Sequence, residues 1–145
     1  MRLDATQIRD LFHRHQLRHT RQRELLYLSL ASTTAHPTAE ELYGIARAAD
    51  SELSLATVYN TLDVFCSVSL AQRLPAAAGG PCRFDAITTE HAHVVHLDGT
   101  VTDVPEDLSR QLLAGLPQET LRELGERLGV PIGRISVQIH AGEKA

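Results

Sequence analysis

"LATVYNTLDVFCS", residues 55–67, follows a serine at 54, and its pattern decides the fold. Ser54 suits a helix N-cap, because its hydroxyl can accept a hydrogen bond from an amide of the first turn. At about 100° per residue, Leu55, Val58, Leu62 and Phe65 share one face. Ala56, Thr57 and Asn60 point away from that face, and Tyr59 lies on its flank. Glu and Lys ordinarily cover a helix surface, so an outer face without charge suggests a helix that touches something.

Upstream, residues 4–13 predict a helix with Ile8, Leu11 and Phe12 on one side. Residues 21–31 predict a second, with Leu25, Leu26, Leu28 and Leu30 as a thick apolar side. "TAEELYGIARAA", residues 38–49, opens with Thr38 and Glu41 in capping-box spacing and directs Leu42, Ile45 and Ala49 inward. Downstream, "LAQRLPAA" (70–77) and "PCRFDAIT" (81–88) predict two short strands around the loose tip "AAAGGP". Helices followed by such a hairpin form the winged helix-turn-helix plan, in which one helix enters the major groove and the hairpin reaches the backbone. A small helical core with an incidental hairpin is the plainer alternative.

The charge distribution favours a nucleic-acid partner only locally. Net charge is −4, with eight Arg and eight acidic residues in 1–80 and six basic against ten acidic in 81–145. The exception is "RHQLRHTRQR" (14–23), with Arg14, Arg18, Arg21 and Arg23 and no acid. Such a patch suits phosphate, or it is a solvated helix end. His13, His15 and His19 read as solvated surface groups. Cys66 and Cys82 are too few for a disulfide framework or a four-cysteine zinc site, and read as two half-buried thiols.

From residue 86 the pattern changes. "AHVVHL" (92–97) and "TVTDV" (100–104) alternate around "DG", a hairpin-turn signal. Residues 106–114 and 118–128 predict helices, and "IGRISVQIHA" (132–141) a last strand. The sequence therefore predicts an α+β chain, with a winged helix-turn-helix DNA-binding domain over 1–84 and a small α/β dimerisation domain over 85–145. The second part cannot cover both faces of a three-stranded sheet alone, so pairing with a second copy is expected. No apolar run approaches the roughly 18–20 residues of a membrane span. The start, "MRLDATQIRD", lacks the apolar core of a signal peptide, which predicts a cytosolic protein.

His91 and His93, two apart on a strand, lie on the same face, and Asp103 follows across the turn. Asp85 ends the hairpin just before them, and His36 stands in a loop ahead of a capped helix. Each alone has a bland reading as an exposed histidine or a turn aspartate. Together they offer nitrogen and oxygen donors without thiolate, a set that tolerates iron(II), manganese(II) or zinc(II). His96 and Asp98 fall outside the set. An HxH followed by an acid also occurs in metal-dependent hydrolases; that reading needs a substrate pocket for which this chain has little room.

In "LRHTRQRELL" (17–26), "HPTAEELY" (36–43), "LATVYNTL" (55–62), "RFDAITTEHAH" (83–93) and "VTDV" (101–104), the chain resembles the ferric uptake regulator (Fur) family over nearly its whole length. The resemblance implies a homodimeric winged-helix repressor, not an enzyme, that binds a palindromic operator in double-stranded DNA when a divalent metal is held. It implies regulatory ligands at His36, Asp85, His91, His93 and Asp103, with iron(II) or manganese(II) as the resident ion and zinc(II) as a substitute in vitro. Arg21 and Arg23 are then expected on phosphate, with Thr57, Tyr59 and Asn60 towards the bases. Aspartate at both carboxylate positions, and Asn60 after Tyr59, are most similar to the peroxide-sensing PerR branch. In that branch His36 and His91 correspond to the oxidation-sensitive positions. An iron- or manganese-responsive uptake repressor is the alternative within the family. The chain departs from the family where a CxxC pair would follow the HxH strand: "HLDG" (96–99) stands there, and the tail holds no cysteine. The four-cysteine structural zinc therefore cannot form.

Overall fold

Four polar side chains start the first four helices. Asp4 accepts from the Gln7 amide and opens α1 (Ala5–Arg14). Thr20 accepts from the Arg23 amide and opens α2 (Arg21–Ala31). Thr38 and Glu41 close a reciprocal capping box ahead of α3 (Ala39–Arg47). Ser54 accepts from the Thr57 amide and opens α4 (Leu55–Ser67). Each cap satisfies an amide that the helix geometry leaves without an internal acceptor. The computed structural model describes residues 3–75, 79–87 and 89–143, and the chain divides into two compact units, 1–88 and 89–145.

In the first unit, Ile8 and Phe12 of α1, Leu26, Tyr27 and Leu30 of α2, Leu42 of α3 and Val58, Leu62 and Phe65 of α4 are buried together. Their centre is aromatic. Phe65 lies 5.9 Å from Phe12 and 5.3 Å from Tyr27, the latter edge to face, an arrangement favoured by the ring quadrupoles. Two short strands, β1 (Gln72–Leu74) and β2 (Arg83–Asp85), pair antiparallel with Gln72 opposite Asp85. β2 also bridges to the loop before α3: Thr38 lies opposite Arg83, and the Phe84 amide donates to the Pro37 carbonyl at 3.0 Å. The tip residues 76–78 of the expected hairpin lie outside the described residues.

Two inward assignments in α3 are corrected. Ile45 is 53% exposed and Ala49 is also exposed, whereas Ala39, Leu42 and Ala46 are buried. The stripe that faces the core is rotated towards Ala39, and Ala49 lies beyond the helix end at Arg47. Tyr27 and Thr61 join the buried set although neither was expected there.

In the second unit, β3 (Ala92–Val95) lies between β4 (Val101–Asp103) and β5 (Val137–His140). β4 pairs antiparallel with β3 through the tight turn at Gly99, whose φ is +83°, a value glycine adopts freely. β5 pairs parallel to β3. A parallel partner needs a long crossover, which α5 (Glu106–Ala114) and α6 (Gln118–Leu128) supply. Ser109 on α5 fastens the crossover to the sheet: its hydroxyl oxygen accepts a hydrogen bond from the Ala92 amide at the start of β3, at 2.7 Å. Among the described residues no helix is long and apolar enough to cross a membrane.

Candidate metal centre and nucleic-acid interface

The hairpin register of the second unit sets His93 directly opposite Asp103. His93 Nε2 lies 3.4 Å from Asp103 Oδ1, and His91 Nε2 lies 3.2 Å from the same oxygen. The two imidazole centroids are 4.3 Å apart, and His93 is only 1% exposed. His91 Nδ1 sits 2.7 Å from the Thr89 carbonyl. A carbonyl oxygen can only accept, so that nitrogen carries the proton, and in the neutral ring Nε2 presents its lone pair to Asp103. A lone pair and a carboxylate oxygen thus face each other, as two donors to one cation would. Ligands about 2.1 Å from one first-row ion and separated by 90–109° lie about 3.0–3.4 Å apart, which matches both spacings. By donor chemistry and by spacing, this group fits a divalent metal.

The first unit carries His36 and Asp85. His36 Nδ1 lies 3.8 Å from Asp85 Oδ1, and the two residues are 1% and 3% exposed. His36 has φ +47°, in the left-handed region that non-glycine residues seldom occupy and that concentrates at functional sites. The Asp85 carboxylate is held on both oxygens: the Ile87 amide donates to Oδ1 at 2.8 Å and Gln72 Nε2 to Oδ2 at 3.0 Å. Such hydrogen bonds fix the orientation a carboxylate needs to bind a cation. Its charge reaches Tyr27, whose phenol is raised above its ordinary pKa first by burial and then by Asp85. Gln72 was missed in the sequence, because only the β1–β2 register brings it opposite Asp85.

His96 and Asp98 serve the turn between β3 and β4. His96 Nε2 pairs with the Thr102 hydroxyl at 2.9 Å. Asp98 accepts from the Thr100 amide and hydroxyl, which lowers its pKa, the hydroxyl being the larger cause. Two of the histidines expected as solvated groups are corrected. The His15 Nδ1–H donates to the Val68 carbonyl at 2.7 Å, and His19 Nε2 pairs with Glu24; both rings are half-buried. Each tethers the arginine-rich segment to the helical core. Cys66 is half-buried, while Cys82 is exposed and not half-buried as expected.

On α4, Tyr59 and Asn60 are exposed and Thr57 is half-buried. The Thr57 hydroxyl is engaged with the Ser54 cap at 2.9 Å. The Tyr59 hydroxyl donates to Glu40 on α3. That bond raises the phenol's pKa and lowers the carboxyl's. Glu40 was not foreseen beside the tyrosine, since the contact joins residues 19 apart on two helices. Arg21 is exposed at the start of α2, and Arg23 Nη1 donates to the Arg18 carbonyl at 2.7 Å.

Comparison with known proteins gives a consistent picture. The ferric uptake regulator family profile matches residues 14–123. The peroxide operon regulator of Bacillus subtilis (strain 168) is 35% identical over 79 residues, and the alignment spans about half of each chain, 54% of both. The ferric uptake regulation protein of Brucella abortus biovar 1 (strain 9-941) is 34% identical over 111 residues, 75% of each chain. A structure of the ferric uptake regulator from Pseudomonas aeruginosa with manganese superposes with a TM-score of 0.71 at 24% identity, covering 94% of this chain and 98% of that one. At that identity the superposition speaks for the fold.

Proposed function

The chain belongs to the ferric uptake regulator family of metal-responsive transcriptional regulators, and from that premise we propose that it is a homodimeric repressor that reports hydrogen peroxide through oxidation of a ligand histidine. The observation that carries this reading is the pair of imidazole nitrogens, His91 Nε2 and His93 Nε2, converging on one Asp103 oxygen at 3.2 and 3.4 Å. The proposed ligand set is His91, His93 and Asp103 from the second unit with His36 and Asp85 from the first. Iron(II) or manganese(II) suits these nitrogen and oxygen donors. Bound iron(II) would supply the electron that reduces peroxide and directs oxidation onto a neighbouring imidazole, whereas manganese(II) would leave the imidazoles intact.

What the residues do then follows from linkage. Ligands drawn from both units make metal occupancy a constraint on the pair of them, and a dimer reads half-sites only at a fixed spacing. Oxidation of His36 or His91 removes a donor and weakens that constraint. Couplings of this kind are typically about 1–3 kcal/mol. The exposed large apolar residues of the second unit, among them Leu128, Val130 and Ile132, support burial against a second copy. Dimer cohesion then rests on apolar surface, because the four-cysteine zinc is absent.

Purified protein loaded anaerobically with iron(II) is expected to release its operator after micromolar peroxide, with one oxygen atom added at His36 or His91 by peptide mass spectrometry. The manganese(II) form is expected to stay bound and unmodified. Retention of the operator by both forms would instead make the protein a metal-uptake repressor. Relatives of both kinds align with the chain, the ferric uptake regulation protein over 75% of each chain and the peroxide operon regulator over 54% of each.

For the DNA-facing residues, Arg21→Ala is expected to weaken binding alike on all sequences and to reduce the log–log salt slope by about 0.9. Asn60→Ala is expected to change the ranking of operator variants at unchanged slope. Measured binding isotherms at several salt concentrations on an operator panel separate the two, and an unchanged ranking for Asn60→Ala removes it from base reading.

A further inference from the structure

His36 and the two residues after it are each fastened to β2 or to α3. Arg83 Nη1 donates to the His36 carbonyl at 3.1 Å and to Glu41 Oε2 at 3.1 Å. The Phe84 amide holds the Pro37 carbonyl. The Thr38 amide donates to the same Glu41 Oε2 at 3.0 Å, and the Glu41 amide returns to the Thr38 hydroxyl at 3.1 Å. The Arg83 side chain is 15% exposed and that of Glu41 53%, so the guanidinium is the shielded end of the ion pair. Its charge strengthens both bonds.

We propose that Arg83 is a positioning residue for the metal site: its guanidinium grips the His36 peptide and the Glu41 carboxylate together, and so holds His36 in the left-handed conformation that presents its imidazole beside Asp85. The proposal rests on the reading of His36 as a ligand. A residue with φ +47° relaxes towards ordinary backbone unless its surroundings fix it. Here the fixing groups are one guanidinium, one strand amide and one capping box. Arg83 shares β2 with Asp85, so one three-residue strand supplies a donor carboxylate and the clamp on the second donor. The planar guanidinium, with several N–H donors in fixed geometry, suits simultaneous contact with a carbonyl and a carboxylate, which a lysine ammonium reproduces only in part.

The test is a manganese(II) titration of the full chain in competition with a chelating dye. Its variants are Arg83→Ala, Arg83→Lys, His36→Ala and the double variant His36→Ala/Arg83→Ala. Arg83→Ala is expected to weaken manganese(II) binding by about 10-fold or more, in the range typical of groups that orient a ligand. Arg83→Lys is expected to lie between it and the parent. The double variant is expected to bind no more weakly than His36→Ala, because a clamp has no effect once its ligand is gone. Amide hydrogen exchange at Thr38 and Glu41 of the metal-free protein is expected to speed up in Arg83→Ala, independently of any metal. Unchanged affinity in Arg83→Ala while His36→Ala is impaired overturns the positioning role alone. Additive losses in the double variant overturn it too, as a general structural effect. If His36→Ala itself binds manganese(II) normally, the ligand reading of His36 fails and this proposal falls with it. Should Arg83→Ala not fold, the intermediate affinity of Arg83→Lys and its loss in the His36→Ala background decide the matter.

Discussion

Replacing His93 with alanine is expected to abolish metal-dependent operator binding and to weaken manganese(II) affinity by well over about 100-fold, since loss of a mere orienting partner costs about 10–100-fold. Nε2 of His93 faces Asp103 Oδ1 at 3.4 Å from a buried position, directly opposite in the hairpin register. The next side chains along β3 on either side, Ala92 and Val94, carry no donor atom. His96→Ala is the control. It removes an imidazole three residues further along, but one bonded to the Thr102 hydroxyl, and it is expected to leave metal affinity and operator binding unchanged. Calorimetric titration of manganese(II) into both variants, followed by operator binding, gives the comparison. Equal losses from both would mean that the histidines act through hairpin stability, and normal metal binding by His93→Ala would remove it from the ligand set.

The facing of His93 and Asp103 was legible because it depends on two local rules, the two-residue period of a strand and the turn chemistry of "DG". The approach of His36 to Asp85 was not. Those residues are separated by two helices and a strand, and their spacing carries no period, so donor type alone made them candidates and the family resemblance gave them their place in one set. Two helix starts were legible for the same local reason: Ser54 and Thr38 cap where their side chains require. Strand lengths were less so: among the described residues of the expected 70–77 and 81–88, only Gln72–Leu74 and Arg83–Asp85 are strand. Pairing rather than composition ends a strand. The partners of Tyr59 and of His15 and His19 were illegible, because hydrogen bonds between elements depend on how helices pack. That Ile45 is exposed while Ala46 is buried makes the same point. A short amphipathic stripe fixes a face only to within a residue or so, and the neighbours choose.

Phe65→Ala is expected to destabilise the first unit by about 3–5 kcal/mol, the cost of lost transfer energy plus the cavity left by a large buried aromatic. Phe65 is fully buried and packs against both Phe12 and Tyr27, so its removal also breaks two aromatic contacts. Native domains hold only about 5–15 kcal/mol in all, and the loss should lower the unit's melting midpoint by on the order of 15 °C. Asn60 sits five residues earlier on the same helix, about 140° around its axis, and it is exposed. Asn60→Ala should change stability by no more than about 0.5 kcal/mol while altering operator preference. Denaturant unfolding of the two variants, read beside their operator binding, therefore divides α4 into a face that holds the fold and a face that meets the partner. A cost below about 1 kcal/mol for Phe65→Ala would show the aromatic cluster to be loosely packed. A large cost for Asn60→Ala would show that its face is covered, and the charge-free surface that first marked this helix would then belong to the protein's interior.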